Sequence, residues 1–235
     1  MDRHTLIQRY WMLSLVAACS AVVHAGLQYV PVDMSPNYNV SSEQRDKYFP
    51  KGDVVLGGVP FSIPSSGNNE WTCSGVHHGG PEFDGTHILD IPVHVFGATN
   101  AYTLITTHWG SFGDSHLKVE FFGSSGAYYA KDLVGNRDIR DWNRNFTSEI
   151  DGVNAINVVW IPVGLNGRPD VMDMQIYTLP ASFQDEYLDL IRLTDQRVYM
   201  HHQAILSGVT VATPEPATCL FLGLGIAILR GRKRF

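Results

Sequence analysis

The amino-acid sequence predicts an all-β protein: a two-sheet β-sandwich or jelly roll, with a hydrophobic helix at each terminus. Between residues 27 and 211, no long stretch carries apolar residues at helical spacing. Short runs rich in β-branched and aromatic residues recur there instead, bounded by Gly, Asn, Asp and Pro. Many short strands at such spacing are typical of sandwiches. At 235 residues, the chain has room for one such domain plus processed ends.

The first 25 residues have the pattern of a signal peptide, which signal peptidase removes during export. Arg3 and Arg9 precede the apolar run Trp11–Val23, and Ala25 closes a small-residue exit, so we expect cleavage after Ala25. The apolar run is shorter than the about 20 residues that a membrane span needs. An alternative cleavage site lies directly before Cys19, where the sequence resembles a lipobox. Cys19 would then be lipidated and become the first residue.

The body, residues 26–211, is expected to consist of about ten short strands. Within Leu117–Phe122, apolar residues alternate with charged ones, as a strand with one buried face requires. The turn residues Gly123 with Gly126, and Asn166 with Gly167, favour hairpins. The predicted strands are Val54–Leu56, Val59–Ile63, His87–Val95, Ala101–Thr107, Leu117–Phe122, Ala127–Leu133, Ala155–Ile161, Met172–Pro180, Leu188–Thr194 and Ala204–Val211.

The body also contains two irregular segments. Phe183–Leu188, after Pro180, is the only segment for which we expect a helical turn, which would cap one end of the sandwich. Residues 64–86 form a long loop rich in Gly, Ser and Asn, and long structured loops on rigid sandwiches commonly carry binding sites. The body holds one cysteine, Cys73, so it cannot form an internal disulfide and depends on packing alone.

Four stretches of the body together resemble a galactose-binding-like jelly roll. They are GGVPFSI at 57–63, THILDIPVHVFGATNAYTLITTHWG at 86–110, VEFFGSSGAYYAKDLVGNRDIRDWN at 119–143 and AILSGVTV at 204–211. The resemblance implies a sandwich that binds sugars, lipids or proteins, or that serves only as a spacer. A fold of this kind does not by itself determine function.

The C-terminal segment, residues 212–235, has three parts in a fixed order. Pro214, Glu215 and Pro216 end the body, because proline interrupts strands and helices. The apolar run Ala217–Leu229 follows; as a helix it would span roughly 20 Å, less than the roughly 30 Å of a hydrocarbon core. A basic tip, which positive charge would hold on the cytoplasmic side, ends the chain. Its residues are Arg230, Arg232, Lys233 and Arg234.

This order resembles the PEP-CTERM sorting signal of Gram-negative bacteria, over residues 213–235. The resemblance implies an exosortase as partner, a transient membrane helix before processing, and a destination in the cell envelope, at the cell surface or in the extracellular matrix. A buried terminal helix is the alternative, but a charged tip without a polar helix face does not suit a core.

Two loops carry candidate ligand-binding residues. Trp109 lies beside glycines and precedes Asp114, a pattern that suits an indole stacked on a sugar ring with a carboxylate at its hydroxyls. Trp109 would equally serve to close the end of the sandwich. In Asn136–Arg144, Trp142 and Asp141 offer the same chemistry, and the structural alternative is a loop that holds the sheets in register.

The candidates for metal binding are His77, His78 and Asp84, because His and Asp side chains are common ligands of divalent metals. These lie with Glu82, His87 and Asp90 in one segment, but the spacing matches no known ligand pattern, and His87 begins a predicted strand. A structural calcium would need oxygen ligands on one loop. Its candidates are Asp33, Asn37 and Asn39, for which an ordinary polar N-terminal arm is the favoured interpretation. No other cofactor is expected.

Composition narrows the function further. The formal net charge of −6 gives no broad basic field, so nucleic acid is not an expected partner. The chain has no nucleophile elbow, phosphate-binding loop or HExxH motif. We therefore predict an exported, non-catalytic envelope or matrix protein that contacts polysaccharide. The alternatives are a structural matrix protein without a ligand, which requires buried Trp71, Trp109 and Trp142, and a hydrolase that uses the segment from His77 to Asp90.

Overall fold

The computed structural model describes residues 26–74, 86–108, 113–143, 149–164, 167–196 and 203–215. The chain divides into two compact units: Gln28–Thr213, called the body from here on in place of the predicted bounds 26–211, and the two ends, Met1–Leu27 with Pro214–Phe235. The predicted signal peptide, the apolar run Ala217–Leu229 and the basic tip lie outside the described residues. Across the described ranges, no helix is long and apolar enough to cross a membrane.

The prediction of an all-β protein is confirmed. In the described residues the chain forms twelve strands and two short 3-10 helices, Ser42–Gln44 and Ala181–Asp185. Each of the ten predicted strands corresponds to one of them; the sequence analysis did not identify β1, β4 or the first 3-10 helix. The strands are β1 Leu27–Pro31, β2 Gly52–Leu56, β3 Val59–Ile63, β4 Trp71–Thr72, β5 His87–Phe96, β6 Asn100–His108, β7 Ser115–Gly123, β8 Tyr128–Val134, β9 Ala155–Ile161, β10 Asp170–Thr178, β11 Tyr187–Asp195 and β12 Gln203–Pro214.

The strands form two main antiparallel sheets and a separate hairpin. The larger sheet has the order β1-β12-β6-β10-β9, and β4 also pairs with β12. The smaller sheet has the order β5-β11-β7-β8. Strands β2 and β3 pair only with each other. Two predicted hairpins are present, since β7 pairs with β8 across Gly123–Gly126 and β9 pairs with β10.

The two main sheets enclose one hydrophobic core, which makes the fold β-sandwich-like. The larger sheet contributes Ile105 and Tyr177, and the smaller sheet contributes Leu117 and Phe121. The rings of Phe121 and Tyr177 meet between the sheets with centroids 5.1 Å apart. In β7 the alternation is as predicted: Leu117, Val119 and Phe121 are buried, and the charged residues between them face outward.

The β2–β3 hairpin adds a third layer on the outer face of the larger sheet, which the two-layer prediction lacks. Phe61 is buried there, and Thr210 Oγ1 donates a hydrogen bond to Pro60 O at 2.6 Å. Gly208 makes room for the hairpin, because a Cβ at that position would lie 3.1 Å from Phe61 Cδ1. Strands β6 and β12 are therefore covered on both faces, and nearly all of their residues are buried.

A buried ion pair secures the segment between β1 and β2 to the same outer face. The guanidinium of Arg45 contacts the carboxylate of Glu70, and both side chains are almost fully buried. Arg45 Nη1 also donates to Thr106 Oγ1 at 2.9 Å, and Arg45 Cζ lies 4.0 Å from the ring centroid of Phe49. Ser207 Oγ donates to Glu70 Oε1 at 2.8 Å. Removing either charged side chain would leave the other charge buried without a partner, which is strongly destabilising. Substitutions here are therefore tolerated only if both charges are replaced together.

The predicted helical turn lies earlier than expected. It spans Ala181–Asp185 rather than Phe183–Leu188, with Phe183 buried in the core. Glu186 is already extended, because its carboxylate accepts hydrogen bonds from the backbone N–H groups of Ser125 and Ala127. The Glu186 side chain is thus bound to the turn between β7 and β8. The 3-10 helix ends before Glu186, and β11 begins at Tyr187.

Candidate functional site

Many of the predicted site residues fall in ranges that the structure does not describe, and their roles stay predictions. They are Trp109 in the loop after β6, the metal candidates His77, His78 and Asp84, and the sorting-signal residues Pro216, Arg230, Arg232, Lys233 and Arg234. Pro214 and Glu215 are described and exposed.

The remaining ligand-binding candidates do not form one exposed surface. Asp114 is exposed just before β7, whereas Asp141 and Trp142 are buried. The Asp141 carboxylate accepts the backbone N–H of Asn143 at 2.8 Å. Trp142 exposes only 1% of its surface, so its indole has no face on which a sugar can stack. Their positions correct the expectation that Asp141 and Trp142 contact a ligand.

Asp141 and Trp142 instead belong to a segment, here called the linking segment (Asp138–Asn143), that joins two strands of the larger sheet. Strands β6 and β10 pair only as far as Leu104 and Met174. Past that point the linking segment lies between them: Thr107 N donates to Arg140 O, Trp142 N donates to Thr107 O, and Val171 N donates to Trp142 O, at 2.8–3.1 Å. These hydrogen bonds give the described part of the loop a structural role, in agreement with the structural alternative for Asn136–Arg144.

The side chain of Gln175 completes this connection. Its amide accepts from the backbone N–H of Ile105 at 2.9 Å and donates to the carbonyl of the same residue at 2.9 Å. It donates as well to Asp138 O at 3.2 Å. A side chain thereby makes the pair of hydrogen bonds that a neighbouring strand ordinarily makes, where β6 and β10 have separated.

Arg140 of the linking segment forms a buried, two-point ion pair with Asp173 on β10. Its Nε and Nη2 each lie 2.7 Å from a carboxylate oxygen of Asp173, and both side chains are buried. Asn157 Nδ2, on β9, donates to the same carboxylate at 3.1 Å. Bidentate pairs of this kind fix side-chain geometry. The pair therefore fixes the position of Arg140 relative to the edge of the larger sheet.

A cleft of about 370 Å³ opens beside this ion pair, along the edge strand β9. Trp160 of β9 is 46% exposed, and Glu149 is exposed as well. An exposed indole offers an apolar face, and a nearby carboxylate accepts hydrogen bonds from hydroxyl groups, so the cleft has the chemistry of a saccharide site. The cleft is lined by Arg140, Glu149, Ile150, Gly152, Ile156, Asn157 and Trp160.

Sequence reasoning did not single out Trp160, although it placed the residue in a strand with the correct bounds. The run AINVVWI predicts a strand, and a tryptophan in a strand is ordinarily a core residue. Trp160 is exposed because β9 is the last strand of its sheet. An edge position follows from the order of strands, which no local pattern in the sequence specifies.

The candidates for metal binding that the structure describes take part in other contacts. Asp33 accepts the backbone N–H of Ser35, and this hydrogen bond lowers the pKa of Asp33. Asn39 exchanges two hydrogen bonds with the backbone of Thr72. Asp90 accepts from Arg192 on the exposed face of the smaller sheet. Within the described ranges, no group of three His, Cys, Asp or Glu side chains is arranged to hold a metal ion.

No protein-family model matches this chain. No curated protein has significant sequence similarity to it. The cleft beside Trp160 is therefore interpreted from its own side chains: an exposed indole, an exposed carboxylate and a wall fixed by a buried ion pair.

Proposed function

We propose that this protein is an exported, non-catalytic component of the envelope or extracellular matrix of a Gram-negative bacterium that contacts polysaccharide through the cleft beside Trp160. The observation that carries the proposal is that the exposed Trp160 and the exposed Glu149 line the same cleft. The terminal segments support export and sorting by an exosortase, because of their resemblance to a signal peptide and a PEP-CTERM signal.

The cleft suits a sugar ring for a simple chemical reason. One face of a pyranose carries C–H groups that pack on an indole, and its rim carries hydroxyls that donate to a carboxylate such as that of Glu149. Arg140 is held by Asp173, so it acts as a positioning residue that keeps the cleft wall in place. Rigid walls lower the ordering cost of binding.

The architecture is compatible with the same proposal. The β-sandwich-like body supports a galactose-binding-like jelly roll, a finer assignment that we propose on the sequence resemblance. Because sandwiches of this kind serve many functions, the ligand must be established at the site.

The test is a glycan-array screen of the purified full chain, with calcium supplied or chelated. Trp160→Ala is expected to weaken saturable binding about tenfold or more, equivalent to about 1.4 kcal/mol, while Trp160→Phe retains most of it. Tyr48→Ala, which removes an exposed aromatic ring outside the cleft, is the matched control. Binding that persists unchanged in Trp160→Ala would exclude the cleft as the site.

A structural matrix protein without a ligand is the second candidate, and one observation favours it. Trp71 and Trp142 are both buried, as this alternative requires. A folded full chain that binds no glycan on the array would favour this role over the first proposal.

A further inference from the structure

The smaller sheet has one face in the core and one face in solvent. In β5, Leu89 and Ile91 are buried in the core, whereas Ile88 and Phe96 are 58% and 55% exposed. Antiparallel sheets commonly expose a polar face to water. This one exposes a set of rings, here called the aromatic face. It comprises His94, Phe96, Phe122, Tyr128 and Tyr187.

The aromatic face contains two cross-strand ring pairs. Phe96 lies directly opposite Tyr187, with ring centroids 5.2 Å apart, and Phe122 lies directly opposite Tyr128, with centroids 5.3 Å apart. Tyr187 is 40% exposed and Tyr128 is 51% exposed. Each pair therefore combines a contact that stabilises the sheet with ring surface that is open to solvent.

The two pairs form one row across the sheet. The four rings come from β5, β11, β7 and β8, which is the order of the strands. Tyr187 faces Ser124, so Phe122, two residues earlier on β7, is its diagonal neighbour at roughly 7–8 Å. Two steps of about 5 Å and one diagonal step give a row of about 15–18 Å. A row of this length suits an extended ligand of several linked sugar rings better than a single small molecule.

His94 fixes one end of this row. Its imidazole stacks on the Tyr187 ring with centroids 4.3 Å apart and planes 3° apart. His94 Nδ1 lies 3.0 Å from Asp189 Oδ1, and its backbone has a φ of 54°, which is uncommon outside glycine. The ring of Tyr187 is thus supported from two sides, by His94 and by Phe96, and is oriented before any ligand arrives.

Fixed hydrogen-bonding groups accompany the rings. Arg192 donates to both carboxylate oxygens of Asp90, at 2.6 and 2.8 Å, and these hydrogen bonds lower the pKa of Asp90. The Tyr128 hydroxyl donates to Glu120 at 2.7 Å, and this hydrogen bond lowers the pKa of Glu120. Both carboxylates are therefore ionised at neutral pH and held in place by these donors, and their oxygens keep further lone pairs that can accept from hydroxyl groups.

The charges of this surface disfavour an acidic partner. Among its described residues, the carboxylates outnumber the Lys and Arg cations, so an acidic polymer would be repelled. Arg192 and Lys118 are already paired, with Asp90 and Glu120 respectively. The carboxylates are those of Asp90, Glu120, Asp132 and Asp189, and the cations are Lys118 and Arg192. A neutral polysaccharide has C–H faces that pack on the rings and hydroxyl groups that donate to the carboxylates, and it carries no negative charge to be repelled.

From these contacts we infer that the aromatic face is a second glycan-binding surface, which takes a neutral polysaccharide along the row of rings. It shares the ligand class of the proposed function but none of the cleft residues, because the cleft follows β9 in the larger sheet. With two such surfaces, one molecule holds two stretches of polysaccharide at once.

Affinity electrophoresis of the full chain in mild non-ionic detergent tests this inference. Native gels would contain hydroxyethylcellulose, galactomannan or dextran as neutral probes, and alginate as an acidic one. We expect retardation by at least one neutral polymer and none by alginate. The double substitution F96A/Y187A should weaken that interaction about tenfold or more. Tyr187→Phe and Tyr48→Ala should leave it nearly unchanged.

The outcomes separate this surface from the cleft. Loss of retardation in F96A/Y187A, with partial retention in Trp160→Ala, supports the inference whether or not the cleft binds glycan. Loss in Trp160→Ala alone supports the cleft and overturns the inference. Retardation by none of the three neutral polymers, or by alginate only, also overturns it. Self-association that F96A/Y187A abolishes, without retardation, would assign the face to a second copy of the chain.

A second variant guards against misfolding of the double substitution. Tyr128→Ala removes an exposed ring at the opposite end of the row, on edge strand β8. Its thermal unfolding midpoint should match that of the Tyr48→Ala control. Unchanged retardation in a folded Tyr128→Ala variant would contradict a row of rings as the binding surface.

Discussion

Two tyrosine hydroxyls lie in the interior of the body. The hydroxyl of Tyr177, between the two main sheets, is 3.2 Å from Thr103 Oγ1, and that of Tyr38 donates to Ser207 O at 2.9 Å. Burial raises the pKa of both side chains well above the ordinary tyrosine value. Ionisation of either phenol therefore requires water to reach the core.

This predicts a loss of stability at alkaline pH. Because the folded-state pKa is raised, the contribution of Tyr177 is fully present below pH about 10 and is lost as pH rises from there towards the folded-state pKa. At pH about 11, an unfolded tyrosine is ionised, which costs the folded state about 1.4 kcal/mol per buried phenol. Denaturant unfolding of the parent and of Tyr177→Phe measures this cost at pH about 8 and about 11.

The free-energy difference between parent and Tyr177→Phe should shrink by about 1.4 kcal/mol over that interval, since phenylalanine does not ionise. The phenolate absorbance that the parent shows in excess of Tyr177→Phe should rise together with unfolding rather than before it, because the exposed tyrosines are common to both proteins. A difference that is independent of pH would contradict the burial of Tyr177.

At the scale of secondary-structure elements, the β2–β3 hairpin adds a layer to the body. It contributes Phe61 to the outer face of the larger sheet, over Gly208. Its first strand exposes Val55, 69% of whose surface is open to solvent. The same hairpin therefore offers a buried apolar residue, Phe61, and an exposed apolar residue, Val55, for comparison.

Phe61→Ala is expected to lower the free energy of unfolding by about 3–5 kcal/mol, because it removes buried contacts and leaves a cavity. Val55→Ala, on the same hairpin, should change it by no more than about 0.5 kcal/mol. Urea unfolding of both variants provides the comparison. If Phe61→Ala cost no more than Val55→Ala, the hairpin would not be a packed third layer.

Local patterns in the sequence predict most strands but not their arrangement. Val59–Ile63 and Ala155–Ile161 have the predicted bounds, because β-branched residues between turn residues identify a strand locally. β4, with two residues, is too short to carry a pattern, and β1 is a short run that ends in proline. The exposure of Trp160 and the burial of Trp142 depend on which strands are neighbours, so the sequence could not distinguish them.

At the scale of the whole molecule, the proposed localisation rests on the sequence of the two chain ends. The sorting signal is a prediction that begins at Pro214 and Glu215, which are exposed beyond the buried part of β12. Their role can therefore be tested without changing the fold.

Replacing Pro214, Glu215 and Pro216 with alanine should leave the free energy of unfolding within about 0.5 kcal/mol of the parent, because Pro214 and Glu215 are exposed and exposed substitutions cost little. The variant should accumulate in the inner membrane, since the signal for sorting is lost. Cell fractionation with immunoblotting measures both destination and yield. A variant that reaches the same compartment as the parent would disprove the sorting interpretation.

The position of β12 has a consequence for mechanical force. β12 lies between β6 on one side and β1 on the other, and β1 runs in the opposite direction to it, with Val32 N donating to Val209 O and Glu215 N donating to Gly26 O. Tension that separates the two chain ends breaks the β1–β12 hydrogen bonds one after another, at low force. If the body binds a polymer as proposed, tension between that polymer and the C-terminal end of β12 instead pulls along the strand, where the hydrogen bonds to β6 share the load.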